Sequence, residues 1–172
     1  LRGINFNCEP GEKIALVGTN GTGKSTLLNL LCGTLEPDKG AVHLNRETRI
    51  SFLGQQADFD PEDTVIDFIL KDENPRFRLL REYHRYSDNS DDPVFHSVLE
   101  RMDQEDGWGI ESRIRTMLHQ MGIEDSGALM ADLSGGMRRR AALSRTLLGD
   151  SNLMVLDEPT NHLDIPTILT LQ

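Results

Sequence analysis

The sequence is short of cysteine, of positive charge and of long apolar runs, and each shortage removes a class of protein. Cys8 and Cys32 are the two cysteines in 172 residues. Each lies beside an apolar pattern and neither has zinc-ligand spacing, which excludes a disulfide framework and fits small, reduced, buried side chains in a cytoplasmic protein. No apolar stretch reaches the roughly 18–20 residues needed to cross a bilayer, and the N-terminal residues lack a signal-peptide pattern. Direct membrane insertion is therefore not expected. Acidic residues number 28 against 18 Lys and Arg, a net charge of −10. Such a field repels nucleic acid and anionic membrane over most of the surface, so any contact of that kind has to be local or supplied by another part of the protein. There is also no initiator Met, and the apolar pattern Ile165, Ile168, Leu169 stops at Gln172 like an unfinished helix. The sequence reads as part of a longer chain.

Three zones follow one another. Residues 1–53 are punctuated like strands: "GINF", a turn at Glu9-Pro10-Gly11, the run "KIALVG", a helix, the turn "EPDKG", and short strands around Val42 and Ile50. Residues 58–132 are helical and more charged, cut by Pro61, Pro75 and Pro93, with Asp92 before Pro93 as a helix start. Ile110, Ile114, Met117, Leu118 and Met121 form one apolar helix face closed by Gly122, and Trp108 joins the same core. From Leu133 strand and helix alternate again. "SDNSDDP" is the candidate mobile loop. Arg76, Arg78, Arg81 and Arg85 interleave with Phe77, Tyr83 and Tyr86, and the helical spacing favours a packed helix with solvated arginines over an RNA contact.

Glycine is costly in helices and strands, yet "GTNGTGKST" puts three between an apolar strand (Ile14 to Val17) and a helix from Ser25 to Cys32. Gly18-Thr19-Asn20-Gly21-Thr22-Gly23-Lys24-Ser25, followed by Thr26, satisfies G-x-x-x-x-G-K-[ST] in the strand–loop–helix context that motif requires. Bare backbone lets N–H groups close around phosphate oxygens, and the helix start adds partial positive charge. Lys24 then bridges terminal phosphates, and Ser25 offers its hydroxyl to Mg²⁺. A plain Gly-rich turn would not require Lys followed by Ser at the helix start.

A second element narrows the reading. Leu153 to Leu156 form a short, wholly apolar strand suited to the centre of a parallel sheet, and Asp157 and Glu158 emerge at its carboxyl end, where open α/β sheets bind ligands. Asp157 suits the Mg²⁺ shell, through water, and Glu158 the orientation or deprotonation of a hydrolytic water. A third element is "LSGGMRRRAALSRTLLG". Ser134 is an N-cap, Gly135 and Gly136 leave amides uncovered, and a helix ending at Gly149 follows, with Arg138, Arg139 and Arg140 as a solvated or acid-paired face. Two anion-binding helix starts in one chain suggest a nucleotide shared with another domain.

The order of phosphate loop, glutamine, "LSGG" and "VLDEP" resembles the nucleotide-binding domain of the ATP-binding cassette (ABC) superfamily over essentially the whole chain. The resemblance implies an α/β fold: a P-loop core with a largely parallel sheet, a small N-terminal antiparallel β part (residues 1–12 and 40–53) and an inserted helical subdomain. It implies one cassette over 1–172, with core 1–57 and 133–172 and helical subdomain about 58–148, overlapping the LSGG helix. It implies ATP and Mg²⁺ as ligands, Gln55 as the glutamine that touches metal and attacking water (Gln56 being the other registration), and Glu158, Gln55 and Lys24 as catalytic residues. Ser134, Gly135 and Gly136 would complete the ATP site of an opposing cassette, and Asn161, His162, Leu163 and Asp164 match the loop that communicates across that dimer. "DEPTNHLD", Met137 and the basic "RRR" resemble the ABC-F group, and "RMDQEDGWGIESRIRTMLHQMGI" its Uup-like members. That implies two cassettes in one cytoplasmic chain and association with ribosomes or branched nucleic acid. A transporter motor subunit and a nucleotide-gated, non-enzymatic scaffold are the alternatives. The family's adenine-stacking aromatic and switch histidine lie beyond the two ends, so these residues alone are expected to bind ATP weakly and turn it over slowly or not at all.

Overall fold

The computed structural model describes residues 3–55, 58–72, 74–87 and 91–159. Helix α1 (Lys24–Leu31) precedes strand β1 (Ile50–Leu53). Helices α2 (Val65–Leu70), α3 (Pro75–Tyr86), α4 (Pro93–Gln104) and α5 (Gly107–Gln120) come next, then a 3-10 turn at Met130–Asp132, helix α6 (Gly135–Leu148) and strand β2 (Leu153–Leu156).

Local chemistry sets most of the helix ends. Thr64 and Asp67 exchange side-chain and backbone hydrogen bonds in a capping box that starts α2. Asn74 and Asp92 accept from the amides of Arg76 and Val94, each with proline at the first helical position. Gly122, at φ +67°, stops α5 as its pattern predicts, letting the Ile123 amide reach the Leu118 carbonyl at 2.8 Å.

β1 and β2 pair in parallel, Ile50 opposite Leu153 through Leu53 opposite Leu156. A parallel pair needs a crossover connection, and here α2 to α6 supply it. Helix α6 packs on β1, α2 and α5, and the core runs continuously from Leu53 through Ile69, Phe77, Met102, Ile114 and Leu143. The parallel sheet is thus the one expected.

The expected N-terminal antiparallel part is not formed among the described residues. Residues 3–23 and 33–49 enter no ladder, so the strand expected at Ile14 to Val17 ahead of the Gly-rich loop is not formed either, and Ile50–Leu53 pairs parallel instead. Ile4, Phe6, Ile14 and Val17 stay exposed, Val17 at 94%, and with no layer over them Cys8 is exposed and Cys32 only half-buried, not buried as expected. Alternating apolar residues settle into a strand only against a covering layer; helices α2 to α6 pack on one another and α6 on β1, while residues 3–22 are exposed throughout.

Trp108 also differs from its reading as core. It is 40% exposed, meets Tyr83 edge-on at 5.1 Å and donates its Nε1 to Asp103 at 2.7 Å, whereas Ile114 and Leu118 of the same helix are buried as expected. The arginine-rich α3 is a packed helix: Phe77 is buried, Arg76 and Arg85 are exposed, and Arg81 donates to the Leu70 carbonyl. Among the described residues no helix is long and apolar enough to cross a membrane. The unfinished helix at Ile165, Ile168 and Leu169 and the centre of "SDNSDDP" lie outside the described residues.

This packing predicts a sharp contrast. Phe77→Ala empties a site 1% exposed and should destabilise by about 3–5 kcal/mol. Arg115→Ala, at a side chain 80% exposed, should stay within about 0.5 kcal/mol by urea unfolding.

Candidate functional site

The Gly-rich loop folds around its own lysine. Gly21 and Gly23 adopt φ +82° and +94°, the left-handed region where a side chain is disfavoured. Gly23 thereby becomes the N-cap of α1, and that helix start carries no side-chain cap. Lys24 Nζ donates to the Gly18 carbonyl at 2.8 Å and the Thr19 carbonyl at 3.1 Å, and Thr22 Oγ1 donates to the same Thr19 oxygen at 2.9 Å. A Cβ on Gly18 would stand 3.0 Å from Thr22 Oγ1, so the loop is closed tightly there. Asn20 and Thr26 are exposed on either side of the lysine. The result is an uncapped helix start with an ammonium at its mouth, the donor set that phosphate oxygens require.

Ser25, one residue into α1, ties this loop to the sheet: its Oγ accepts from Gln55 Nε2 at 3.2 Å. Gln55 leaves the carboxyl end of β1, and at the same end the Asp157 amide donates to the Leu53 carbonyl at 2.8 Å. Asp157 is buried at 3% exposure, and Glu158 is half-buried with a left-handed backbone, φ +49°. Ser25, Gln55, Asp157 and Glu158 therefore meet at one sheet end although they come from three distant parts of the sequence. Gln56 lies outside the described residues.

No cluster of three or more His, Cys, Asp or Glu residues among the described ones is disposed to hold a metal. The groups at this end are instead a hydroxyl, a glutamine amide and the carboxylates of Asp157 and Glu158. That sparse set fits a hard cation that keeps waters and phosphate oxygens in its shell, as Mg²⁺ does, and the bond from Gln55 Nε2 to Ser25 Oγ sets the hydroxyl and the glutamine side chain together.

Ser134 caps α6, its Oγ accepting from the Met137 amide at 3.2 Å, and Gly135 stands in open space at the first turn. Of the three arginines expected to form a solvated or acid-paired face, Arg138 and Arg139 bond backbone carbonyls instead. Arg138 folds back, Nε to the Met130 carbonyl at 3.0 Å and Nη2 to the Ala131 carbonyl at 2.6 Å, with its guanidinium 5.0 Å over the Phe59 ring. Arg139 is buried. It donates from Nη1 to the Gly54 carbonyl and from Nη2 to the carbonyls of Asp157, at 2.6 Å, and Glu158, at 3.2 Å. Burial pulls its pKa below the usual guanidinium value, against the opposing pull of the Asp157 and Glu158 carboxylates. Sequence reading missed this residue, although a signal was present: Arg139, Ala142, Leu143 and Thr146 share one buried stripe of α6 at helical spacing. Asn161, His162, Leu163 and Asp164 lie outside the described residues.

A phosphate loop, a parallel strand pair and acidic residues at its carboxyl end define a P-loop α/β cassette. The family profile described as ABC transporter matches residues 1–161, and the chain belongs to that family. ATP-binding protein Uup of Haemophilus influenzae is 35% identical over 174 residues, covering 97% of this chain and 27% of that protein. Energy-dependent translational throttle protein EttA of Escherichia coli is 34% identical over 181 residues, covering 100% of this chain and 33% of that one. The chain thus spans about a quarter to a third of the curated relatives it matches. Among solved structures, a ribosome-bound archaeal Pelota and ABCE1 superposes at TM-score 0.56 with 27% identity, over 90% of this chain and 21% of that chain. A metal-chelate type ABC transporter in an inward-facing conformation gives TM-score 0.60 and 25% identity, over 98% of this chain and 59% of that one.

The loop geometry makes a direct prediction. Lys24→Met removes the one ammonium at the uncapped helix start, and charged hydrogen bonds contribute about 1.5–3 kcal/mol each. Pyrophosphate affinity of the full-length protein, measured by calorimetry, should fall at least about tenfold.

Proposed function

We propose that the chain is the ATP-binding and ATP-hydrolysing cassette of a cytoplasmic ABC-F protein that uses closure of paired cassettes to act on a translation or nucleic-acid machine. The observation that carries the reading is the contact between Ser25 Oγ and Gln55 Nε2. It joins the phosphate loop to the strand end that bears Asp157 and Glu158, the arrangement a phosphoryl-transfer site needs. The likeness to Uup and EttA over nearly the whole chain supports the ABC-F assignment, and the likeness to a ribosome-bound ABCE1 supports a ribosomal partner.

In this reading residues 1–172 are one cassette, with core 1–57 and 133–172 and a helical subdomain of about 58–148 that overlaps the LSGG helix. The amides of Gly18 to Thr26 cradle the phosphates of ATP. Lys24 leaves the Gly18 and Thr19 carbonyls to neutralise the terminal phosphates. Ser25, Gln55 and, through water, Asp157 would hold Mg²⁺, which would supply further charge neutralisation at the phosphate oxygens. Glu158 orients the attacking water and accepts its proton as the oxygen–phosphorus bond forms, and the bond to the β-phosphate oxygen breaks to release ADP. Ser134, Gly135 and Gly136, exposed or half-buried at the start of α6, serve the ATP of a second cassette. Most of the rate gain is positioning and electrostatic stabilisation, since phosphoryl transfer asks for little covalent chemistry from the protein.

The structural likeness to a metal-chelate type transporter supports a second reading, the motor subunit of a membrane transporter. The remainder of the gene separates the two: a second cassette supports the first reading, membrane spans the second.

Calorimetry on the full-length protein should show Mg²⁺-dependent ATP affinity, and its absence would end the reading. Glu158→Gln should lower kcat for ATP by about 10²–10⁴-fold while ATP affinity survives. Parental turnover in that variant would remove the base assignment.

A further inference from the structure

We propose that Arg139 is a positioning residue for hydrolysis, reaching from helix α6 to fix the backbone on which both Gln55 and Glu158 are carried; this rests on the ATPase reading above. Its guanidinium holds three carbonyl oxygens from two strand ends at once. Nη1 takes Gly54, the residue that leads into Gln55, and Nη2 takes Asp157 and Glu158. Only a planar, multi-donor fork can span such a set, whereas a lysine offers one compact ammonium.

Two further observations separate positioning from simple packing. Glu158 has a left-handed backbone at φ +49° and is followed by Pro159, which narrows the choices of the residue before it. A non-glycine residue keeps such a conformation only where its surroundings over-determine it, and the Arg139 hydrogen bond to the Glu158 carbonyl is one such restraint. Arg139 Nε, meanwhile, is buried without a hydrogen-bond partner among the described residues. One donor is thus left unmade while the other nitrogens serve three carbonyls, so the guanidinium is seated by the peptides it holds and not by an optimal fit of its own.

The same residue gives α6 two ends with different tasks. Its first turn carries Ser134, Gly135 and Gly136, and one turn further on Arg139 grips this cassette's own strand ends. A shift of α6 driven at the first turn therefore reaches Gln55 and Glu158 through a direct hydrogen-bonded connection, with no intervening loop.

The test uses Arg139→Gln and Arg139→Lys in the full-length protein, with kcat and KM for ATP at saturating Mg²⁺, ATP affinity by calorimetry and the thermal unfolding midpoint. Arg139→Gln should lower kcat about 10- to 100-fold with KM and ATP affinity unchanged, because the misplaced groups act on the water and not on the bound nucleotide. Arg139→Lys should recover part of kcat. If Arg139→Gln does not fold, the lysine variant decides, by a reduced kcat at unchanged KM. Parental kcat in a folded variant, or equal losses of ATP affinity and kcat tracking a lowered unfolding midpoint, would overturn the role of Arg139 while leaving the ATPase reading intact. A parent protein that turns over no ATP overturns that reading and this inference together.

Discussion

The parallel pairing of Ile50–Leu53 with Leu153–Leu156 is the constraint on which the rest depends. It makes two distant segments end side by side, and it is pinned at both ends. At the amino end, the Arg49 amide donates to Asn152 Oδ1 at 2.8 Å, and Asn152 Nδ2 donates to the Glu47 carbonyl at 2.9 Å. At the carboxyl end, the Asp157 amide meets the Leu53 carbonyl, and Arg139 spans Gly54, Asp157 and Glu158. A slip of one residue in β2 would exchange the faces of Leu156, which packs with Leu53 on the core, and Val155, and would send Asp157 to the other face, so register and site geometry are one constraint. The helices between the strands are the crossover such a pair demands, and α6, packed on β1, closes it.

The phosphate loop solves a different problem, which is to keep a concentrated positive patch in a chain of net charge −10. Left-handed glycines and an uncapped helix start leave donors that water or an anion must satisfy. Lys24 meanwhile rests on two carbonyls of the loop it serves. Those contacts pre-shape the loop, and in the proposed reading a phosphate would replace neutral oxygens with charged ones, a stronger partner for the same ammonium. Ser25 does the equivalent for Gln55, holding a residue from another part of the sequence against the loop before any ligand arrives.

Features fixed by a few adjacent residues were legible in the sequence. The starts at Asp92-Pro93 and Ser134, the stop at Gly122 and the loop from Gly18 to Ser25 all follow from local stereochemistry, and the structure has each of them. The apolar run Leu153 to Leu156 was legible as a parallel strand but not as a central one: among the described residues it pairs with β1 alone and leaves Met154 exposed. Features that depend on what lies opposite were not. The alternation around Ile4, Phe6 and Ile14 reads as strand, but pairing needs a partner that composition does not name. Trp108 lies two residues before Ile110, off the stripe of Ile110, Ile114 and Leu118, and its indole N–H finds Asp103 with the ring half out. Arg139 is the instructive miss: three arginines in a row suggest solvent, and burial of the middle one follows from carbonyls over eighty positions earlier and eighteen later in the chain.

Why a charged residue should occupy that position follows from what α6 has to connect. A sheet end offers carbonyl oxygens that have run out of strand partners, and a helix packed across it offers only side chains. Water could satisfy those oxygens, but water would not fix their directions relative to one another. A guanidinium does both at once: it removes solvent from beneath Asp157, which is buried, and it imposes a common plane on the donors to Gly54 and Asp157. The two peptides that precede and include the acidic residues then move with α6 or not at all. Coupling between two sites requires a physical element whose arrangement both sites bias, and a helix that begins at Ser134-Gly135-Gly136 and grips the sheet end one turn later has the form of such an element.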